Sequence, residues 1–165
     1  ADDPRRPAFD ANRQAEIEAV KPVIERLKET GWTFGSHTWG HIRLDSRPLE
    51  SVQRDTVRWA EEVGSLVGPT NILFYPHGGR PDGDDWHSTG PVFQYLQSQG
   101  FRIFASVGIN SFSYIKKDIS AVICDRLHPD GTTLRNGKAL EWYSQFYDAR
   151  EIIDLDVRPD LGVTW

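Results

Sequence analysis

Two histidines four residues apart, His37 and His41, are the side chains in this sequence whose type and spacing most directly suggest chemistry. They lie in the stretch 31–41, GWTFGSHTWGH. Two imidazoles at this spacing can reach one metal ion, either from a helical turn or from a tight loop. The same spacing also occurs in ordinary polar loops, so the pair alone leaves both interpretations open.

A second candidate group is the loop 76–87, PHGGRPDGDDWH, which is rich in glycine, proline and titratable residues. His77 lies there between a proline and two glycines. It is either an incidental turn residue or a residue whose backbone N–H binds an oxyanion. Asp82, Asp84 and Asp85 could bind a cation through their carboxylate oxygens, or they could belong to a solvated acidic loop.

A third candidate is His128, in the segment 126–131, RLHPDG, which follows a predicted strand over 119–125. It can act as a general acid only if the fold brings it within reach of the His37/His41 pair. The alternative is a histidine that simply forms part of a turn.

Hydrophobic periodicity predicts alternating helices and strands that could position these residues. Apolar residues at helical spacing indicate a helix over Ala11–Thr30, kinked or restarted near Pro22 and ended by Gly31, after an extended lead-in over 1–10. The further predicted elements are a strand over 32–36, a helix capped by Ser46 and ending before 68, and, beyond it, strands over 71–75, 101–107 and 119–125 with a helix over 90–99. The last third is predicted to hold a helix over 138–146 and a final strand or extended segment over 152–157. This alternation predicts an α/β fold with a parallel sheet or barrel, in which functional residues collect at the carboxyl ends of strands.

Length and composition limit the class of protein. The 165 residues fit one domain, and the formal net charge of −5, without a basic stripe, argues against nucleic-acid binding. No apolar run is long enough to span a membrane. The single cysteine, Cys124, lies in an apolar run and is predicted to be a buried, unreactive thiol.

Three segments together resemble the polysaccharide deacetylase family, in its NodB-type domain. The stretch 31–41 resembles the second family motif, which carries a His-Ser/Thr-x-x-x-His pattern or a close variant. Residues 75–78, YPHG, resemble the third motif, Arg-x-Pro-x-Gly, and residues 96–104 match the helix-to-strand run that follows in the family. The resemblance covers about residues 11–110.

The resemblance implies a distorted (β/α) barrel and a divalent metal, commonly zinc, that is bound by one Asp and two His. Carried over to this chain, the two metal-ligating histidines are His37 and His41. The implied reaction is hydrolysis of an N- or O-acetyl group on an acetylated polysaccharide or oligosaccharide, commonly by bacterial proteins at or outside the cell surface. The backbone N–H of His77 would hold the oxyanion, and His128 would protonate the leaving group.

Three further residues are candidates for binding the sugar. Trp39 and Trp86 lie in the two predicted site loops, where their rings could stack on sugar rings. Arg80 lies in the second of these loops. The same residues support an alternative function, a catalytically inactive carbohydrate-binding pseudo-deacetylase. A metallopeptidase is a third and weaker alternative, because no Glu adjoins the His pair as such motifs require.

The sequence departs from the family pattern in two places besides its loose match at His128. The opening family motif Thr-Phe-Asp-Asp, which supplies the third ligand and the catalytic base, is absent, and the chain contains no Met. We therefore expect residues 1–165 to be a single, partial domain whose remainder lies upstream of Ala1, and we expect this chain alone to bind metal weakly. In addition, Phe74 stands where the third motif has Arg, so Arg80 or Arg126 would have to replace that cation.

Overall fold

The computed structural model of the protein describes residues 6–83, 89–107, 113–116, 120–126, 141 and 144–145. Over these residues the protein has a mixed α/β fold, as the alternating pattern predicts. Its strands are β1 (Ile72–Phe74), β2 (Ile103–Val107), β3 (Ser113–Lys116) and β4 (Ala121–Arg126). Its helices are α1 (Arg6–Glu29), α2 (Leu49–Trp59), α3 (Ser65–Val67) and α4 (Pro91–Ser98).

The four strands form one sheet in the order β1-β2-β4-β3. Strands β1, β2 and β4 are parallel, with Leu73 opposite Phe104 and Phe104 opposite Ile123. Strand β3, which the sequence did not predict, pairs with β4 in antiparallel orientation. Because the three parallel strands point the same way, their carboxyl ends lie along one edge of the sheet.

The predicted strand over 32–36 is reduced to a single parallel bridge between Ser36 and Leu73. The Ser36 N–H donates to the Ile72 carbonyl over 2.9 Å, and the Phe74 N–H donates to the Ser36 carbonyl over 2.8 Å. The Thr70 hydroxyl donates to the Phe34 carbonyl over 2.7 Å. These contacts align the segment with β1, so that the residues after Ser36 emerge at the carboxyl edge.

Helix α1 begins at Arg6, so the prediction of an extended lead-in over 1–10 is wrong for its second half. Pro22 lies inside this one helix and does not start another. The helix ends as predicted at Gly31, whose φ of 88° is the left-handed conformation that glycine adopts without strain. The N–H groups of Gly31 and Trp32 donate to the Lys28 and Leu27 carbonyls, which is the hydrogen-bond pattern of a Schellman motif.

Helix α2 begins at Leu49 with Pro48 as its N-cap residue, so the predicted cap at Ser46 is wrong. The helix continues through a π-helical segment, Ala60–Gly64, into α3 and ends at Gly68, as predicted. None of the described helices is long and apolar enough to cross a lipid bilayer.

The hydrophobic core joins the sheet to α2 and α4. Phe93 of α4 contacts Phe104 of β2, with ring centroids 5.1 Å apart, and both side chains are almost fully buried. Other buried members of this core are Leu44, Val52, Leu73, Tyr75, Leu96 and Ile123. Packing of this kind fixes the positions of the strand ends and therefore of the loops that follow them.

Candidate active site

Three of the predicted site residues, His37, His41 and His77, lie at the carboxyl edge of the parallel strands. Residues 37–41 follow the Ser36 bridge, and a short 3₁₀ turn, Pro76–Gly78, comes directly after Tyr75 at the end of β1. Arg126 is the last residue of β4. Three separate chain segments therefore converge where ligands bind in α/β folds.

Three imidazoles lie in contact at this edge. The ring centroids of His37 and His41 are 4.9 Å apart, and those of His41 and His77 are 4.5 Å apart, with an interplanar angle of 70° in both pairs. The sequence predicted the first pair from its spacing. The addition of the His77 ring was not predicted, because that residue was considered only for its backbone N–H.

His37 is oriented by a hydrogen bond from its Nδ1 to the backbone carbonyl of Phe74. Since a carbonyl oxygen only accepts, Nδ1 carries the proton and Nε2 keeps its lone pair. Burial lowers the pKa of His37, with a further lowering by the Arg126 charge, while the hydrogen bond to Phe74 opposes this shift. A lowered pKa keeps the imidazole neutral, and a neutral imidazole with an oriented N–H is the form that binds metals.

The turn between the two histidines is held by side-chain acceptors. The Asp55 carboxylate on α2 accepts the backbone N–H groups of Trp39, over 3.0 Å, and Gly40, over 2.6 Å. The Ser36 hydroxyl accepts the Thr38 N–H over 3.2 Å. Asp55 is a site residue that sequence analysis missed, because it lies in a predicted helix and no local motif links it to the turn.

Three non-glycine residues of the site have left-handed backbone conformations: Thr38, His41 and His77, with φ values of 59°, 51° and 55°. Side chains with a Cβ rarely adopt this region, and each such residue costs of order 1–3 kcal/mol. The surrounding hydrogen bonds and packing must offset this cost. Strain of this kind concentrates at functional sites, which agrees with a functional role for this edge.

Two described carboxylates near the site, those of Asp82 and Asp45, already have partners. Asp82, considered from sequence as a cation ligand, accepts the backbone N–H groups of Val92 and Phe93 over 3.1 and 2.8 Å and so caps α4. Asp45 forms a bidentate ion pair with Arg43, which holds the pKa of that carboxyl below its usual value. No group of three or more His, Cys, Asp or Glu within the described residues is arranged as a ready metal-ligand set. The two histidines of the second motif could supply the nitrogen part of such a set, since the hydrogen bond to Phe74 leaves Nε2 of His37 unprotonated and the His41 ring contacts the His37 ring.

Trp39, a predicted sugar-binding residue, is 41% exposed beside the histidine cluster. The Arg58 guanidinium lies 3.5 Å from the centroid of its indole, and the indole N–H donates to Glu62 over 2.8 Å. A cation therefore covers part of the ring surface, and the ring is held in one orientation.

Two arginines were candidates for the cation that the third motif normally supplies. Arg126 is half-buried, donates from Nε to the Ser106 carbonyl over 3.0 Å, and has its guanidinium 5.3 Å from the centroid of the Phe74 ring. Arg80 is exposed, and its charge lies close enough to Tyr75 to affect the phenol. Burial raises the pKa of Tyr75, and the Arg80 charge opposes this rise. Arg126 is thus the cation that lies against the position of the missing motif arginine.

Several predicted residues lie outside the described part of the chain. They are His128, Trp86 and Asp84, together with the predicted strand over 152–157 and most of the predicted helix over 138–146. Cys124 is half-buried and not fully buried as predicted; burial still raises the pKa of its thiol, which agrees with the prediction of low reactivity.

An α/β sheet with histidines at the carboxyl edge of its parallel strands occurs in enzymes of many different activities. The fold alone therefore does not identify the family. Comparison with known families does, because residues 8–101 match the polysaccharide deacetylase family model. The chain belongs to the polysaccharide deacetylase family, as the sequence motifs indicated, and that family consists of hydrolases of acetyl amide or ester bonds on carbohydrates. Comparisons with curated proteins and with solved structures gave no match.

Proposed function

We propose that this protein is a metal-dependent carbohydrate deacetylase that hydrolyses N- or O-acetyl groups on a polysaccharide or oligosaccharide. The observation that carries the proposal is the hydrogen bond from His37 Nδ1 to the Phe74 carbonyl, which leaves Nε2 of His37 unprotonated in a ring whose centroid is 4.9 Å from that of His41. The family supplies the reaction class. We further propose that residues 1–165 belong to one domain, of the distorted (β/α) barrel type.

His37 and His41 would hold the divalent metal, for which zinc is our proposal because imidazole nitrogen suits that ion. Such a metal supplies a Lewis acid that polarises the acetyl carbonyl and lowers the pKa of water. Other residues of this chain orient the two histidines. The Asp55 carboxylate fixes the turn that carries both histidines, and the Phe74 carbonyl fixes the tautomer of His37.

His77 would stabilise the reaction through its backbone. Its φ of 55° in the turn Pro76–Gly78 sets the direction of its N–H, the group that we propose as the oxyanion donor. Arg126 adds a half-buried positive charge at the same edge, next to Phe74. Both groups favour negative charge that develops on the acetyl oxygen during attack. His128 remains our proposal for the general acid.

Sugar binding would involve the exposed aromatic and cationic groups around this edge. We propose that Trp39 stacks on a sugar ring, that Arg80 hydrogen-bonds to sugar hydroxyl groups, and that Trp86 adds a second aromatic surface. Arg58 and Glu62 hold the Trp39 indole in one orientation, which reduces the entropy lost on binding.

The test is acetate release from chitin-type and xylan-type acetylated oligomers, measured with the purified full-length protein after addition of zinc. The proposal predicts release from at least one substrate class, its loss on chelation, and a fall of about 100-fold or more in His37→Gln. The control is Glu50→Gln, at an exposed position of α2, which should keep the activity. Sugar binding without acetate release would instead favour the pseudo-deacetylase.

A further inference from the structure

A groove opens at the amino ends of the parallel strands, at the edge of the sheet opposite to the candidate active site. Trp32 precedes the Ser36 bridge, Asn71 comes directly before β1, and Gly100 precedes β2. The groove has a volume of about 540 Å³, which lies within the range of sites that bind small ligands. We call it the Trp32 groove, and the polar side chains in its lining are those of Lys28, Thr33, Thr70, Asn71 and Gln99.

Trp32 exposes 67% of its surface although it carries the largest side chain in this lining. Its backbone N–H donates to the Leu27 carbonyl over 3.0 Å and so helps to close α1. Any residue with a backbone N–H can make this bond, so the helix end does not require an indole here. An exposed indole offers a flat apolar face beside one N–H donor. That combination suits a sugar ring, which has apolar C–H faces and polar hydroxyl groups.

The polar groups beside the Trp32 ring are available to a ligand. Within the described part of the chain, the side-chain amide of Asn71 and the hydroxyl of Thr33 make no hydrogen bond to another residue. Thr70 differs, because its hydroxyl donates to the Phe34 carbonyl over 2.7 Å and therefore holds the wall of the groove. An amide and a hydroxyl both donate and accept hydrogen bonds, as sugar hydroxyl groups do.

The charge of the lining argues for a neutral ligand. Of the described residues that line the Trp32 groove, Lys28 is the one that carries a charge, and its Nζ is paired with the Glu25 carboxylate over 3.0 Å. A phosphate or another anion would need cations that are free to meet it, and a cationic ligand would need carboxylates. The groove is thus better matched to an uncharged, hydroxyl-rich molecule than to a nucleic acid or a phosphorylated one.

A second cavity, with a volume of about 370 Å³, adjoins the first, since Pro69, Thr70 and Gln99 line both. Its wall includes residues of the π-helical segment Ala60–Gly64. Segments of this kind are rare and frequently lie at functional sites. Two adjoining cavities suit a ligand built of repeated units, such as a chain of sugar rings.

We propose that the Trp32 groove binds a neutral polysaccharide chain, with one sugar ring stacked on Trp32 and hydrogen-bonded to Asn71 and Thr33. The choice of a carbohydrate as ligand rests on the proposed function. Because this groove and the histidines lie at opposite edges of the sheet, it is a second binding site and not part of the first. Binding there holds the enzyme on the polymer and raises the effective concentration of acetyl groups at the other edge.

The experiment is co-sedimentation of the full-length protein with insoluble chitin-type and xylan-type polymers, which measures binding without requiring catalysis. In Trp32→Ala we expect binding weaker by about 10-fold or more, since exposed tryptophans that contact a ligand contribute strongly to affinity. Trp32→Tyr should restore most of the binding, because it keeps a flat ring with one polar group. The matched control is Val23→Ala, which removes a 53% exposed apolar side chain of α1 outside the groove and should bind like the unaltered protein.

Two further measurements separate a binding role of Trp32 from a structural one. Thermal unfolding shows whether Trp32→Ala still folds, and acetate release from a short oligomer should be unchanged in that variant while release from the polymer falls. In the unaltered protein, a neutral oligosaccharide should shift the NMR signal of the Trp32 indole N–H, a readout that needs no folded variant.

Equal polymer binding by Trp32→Ala and the unaltered protein would overturn the inference. So would a Trp32 indole signal that the oligosaccharide leaves unchanged, or an unaltered protein that binds neither polymer. Polymer binding that depends on Trp32 without any acetate release would leave the inference standing and overturn the proposed activity, so the two failures are distinguishable.

Discussion

The carboxylate of Asp55 accepts a hydrogen bond from the backbone N–H of Gly40 over 2.6 Å, and this contact ties α2 to the turn between the two motif histidines. A second bond, from the Trp39 N–H over 3.0 Å, uses the other carboxylate oxygen. One side chain thereby fixes two consecutive peptide groups. The position of His41 depends on a helix that begins eight residues after it.

Replacement of Asp55 should affect both stability and metal binding. Asp55→Ala leaves two backbone N–H groups without their acceptor, and hydrogen bonds to a charged group contribute about 1.5–3 kcal/mol each. Because both N–H groups are solvent-exposed and can bond to water instead, we expect a combined loss of unfolding free energy of about 1.5–3 kcal/mol. Metal affinity should fall by about 10–100-fold, as for other residues that position ligands. Urea unfolding and calorimetric zinc titration measure the two effects. Glu50→Gln, on the same helix, is the control, and unchanged zinc affinity in Asp55→Ala would contradict the assigned role.

Asp82 should behave as a helix cap and not as a metal ligand. Its carboxylate accepts the N–H groups of Val92 and Phe93 at the start of α4. Asp82→Asn keeps a side chain that tolerates the φ of 60° at this position but has only one acceptor oxygen. We expect a loss of about 1 kcal/mol in urea unfolding, with unchanged zinc affinity. Weaker zinc binding at unchanged stability would show instead that Asp82 is a ligand.

Glu62 should make stability depend on pH in the acid range. Hydrogen bonds from Arg58, Arg13 and Trp39 lower the pKa of its carboxyl from 4.5 to about 2. A depressed pKa in the folded protein means that the stabilisation is complete above 4.5 and is lost as the pH falls toward about 2. Thermal unfolding across this window should show a steeper decline for the unaltered protein than for Glu62→Gln.

The neighbouring Glu61→Gln is the matched control for this measurement, and it should follow the unaltered protein. Parallel curves for Glu62→Gln and the unaltered protein would mean that the contacts of Glu62 with Arg58, Arg13 and Trp39 contribute nothing to stability. High salt should also reduce the effect, because exposed ion pairs are screened.

Gly35 should tolerate no side chain while Phe74 keeps its ring. A Cβ at position 35 would lie 2.5 Å from Cε2 of Phe74, which is closer than packed carbon atoms approach. We expect Gly35→Ala to lower the unfolding free energy by about 1–3 kcal/mol, as other overpacked positions do. Because Phe74 also provides the carbonyl that orients His37, the zinc affinity should fall as well.

Rescue by a smaller neighbour tests this explanation of the Gly35→Ala effect. In a double-mutant cycle, Phe74→Leu should remove part of the cost of Gly35→Ala, since the added methyl group then has space. Strictly additive losses in the two single variants and the double variant would show that the two side chains do not compete for the same volume.

The sequence by itself determined the α/β class, most helix and strand positions and the motif histidines. Local patterns sufficed, because apolar periodicity reports which residues face a core, and Gly31, Gly68 and Gly100 mark helix ends through their positive φ. The family resemblance rested likewise on short local motifs. Element boundaries were less well predicted: α1 begins before the expected residue, and the strand over 32–36 is only a bridge at Ser36.

Tertiary structure alone decided which distant residues meet. The contact of His77 with His41, the anchoring of Gly40 by Asp55 and the placement of Arg126 against Phe74 join segments that are far apart in sequence. No periodicity or motif encodes such pairs, because they follow from strand order, register and helix packing. The sequence therefore identified His37 and His41, whereas only the fold showed that the His77 ring contacts His41 and that Phe74 and Asp55 hold the motif in place.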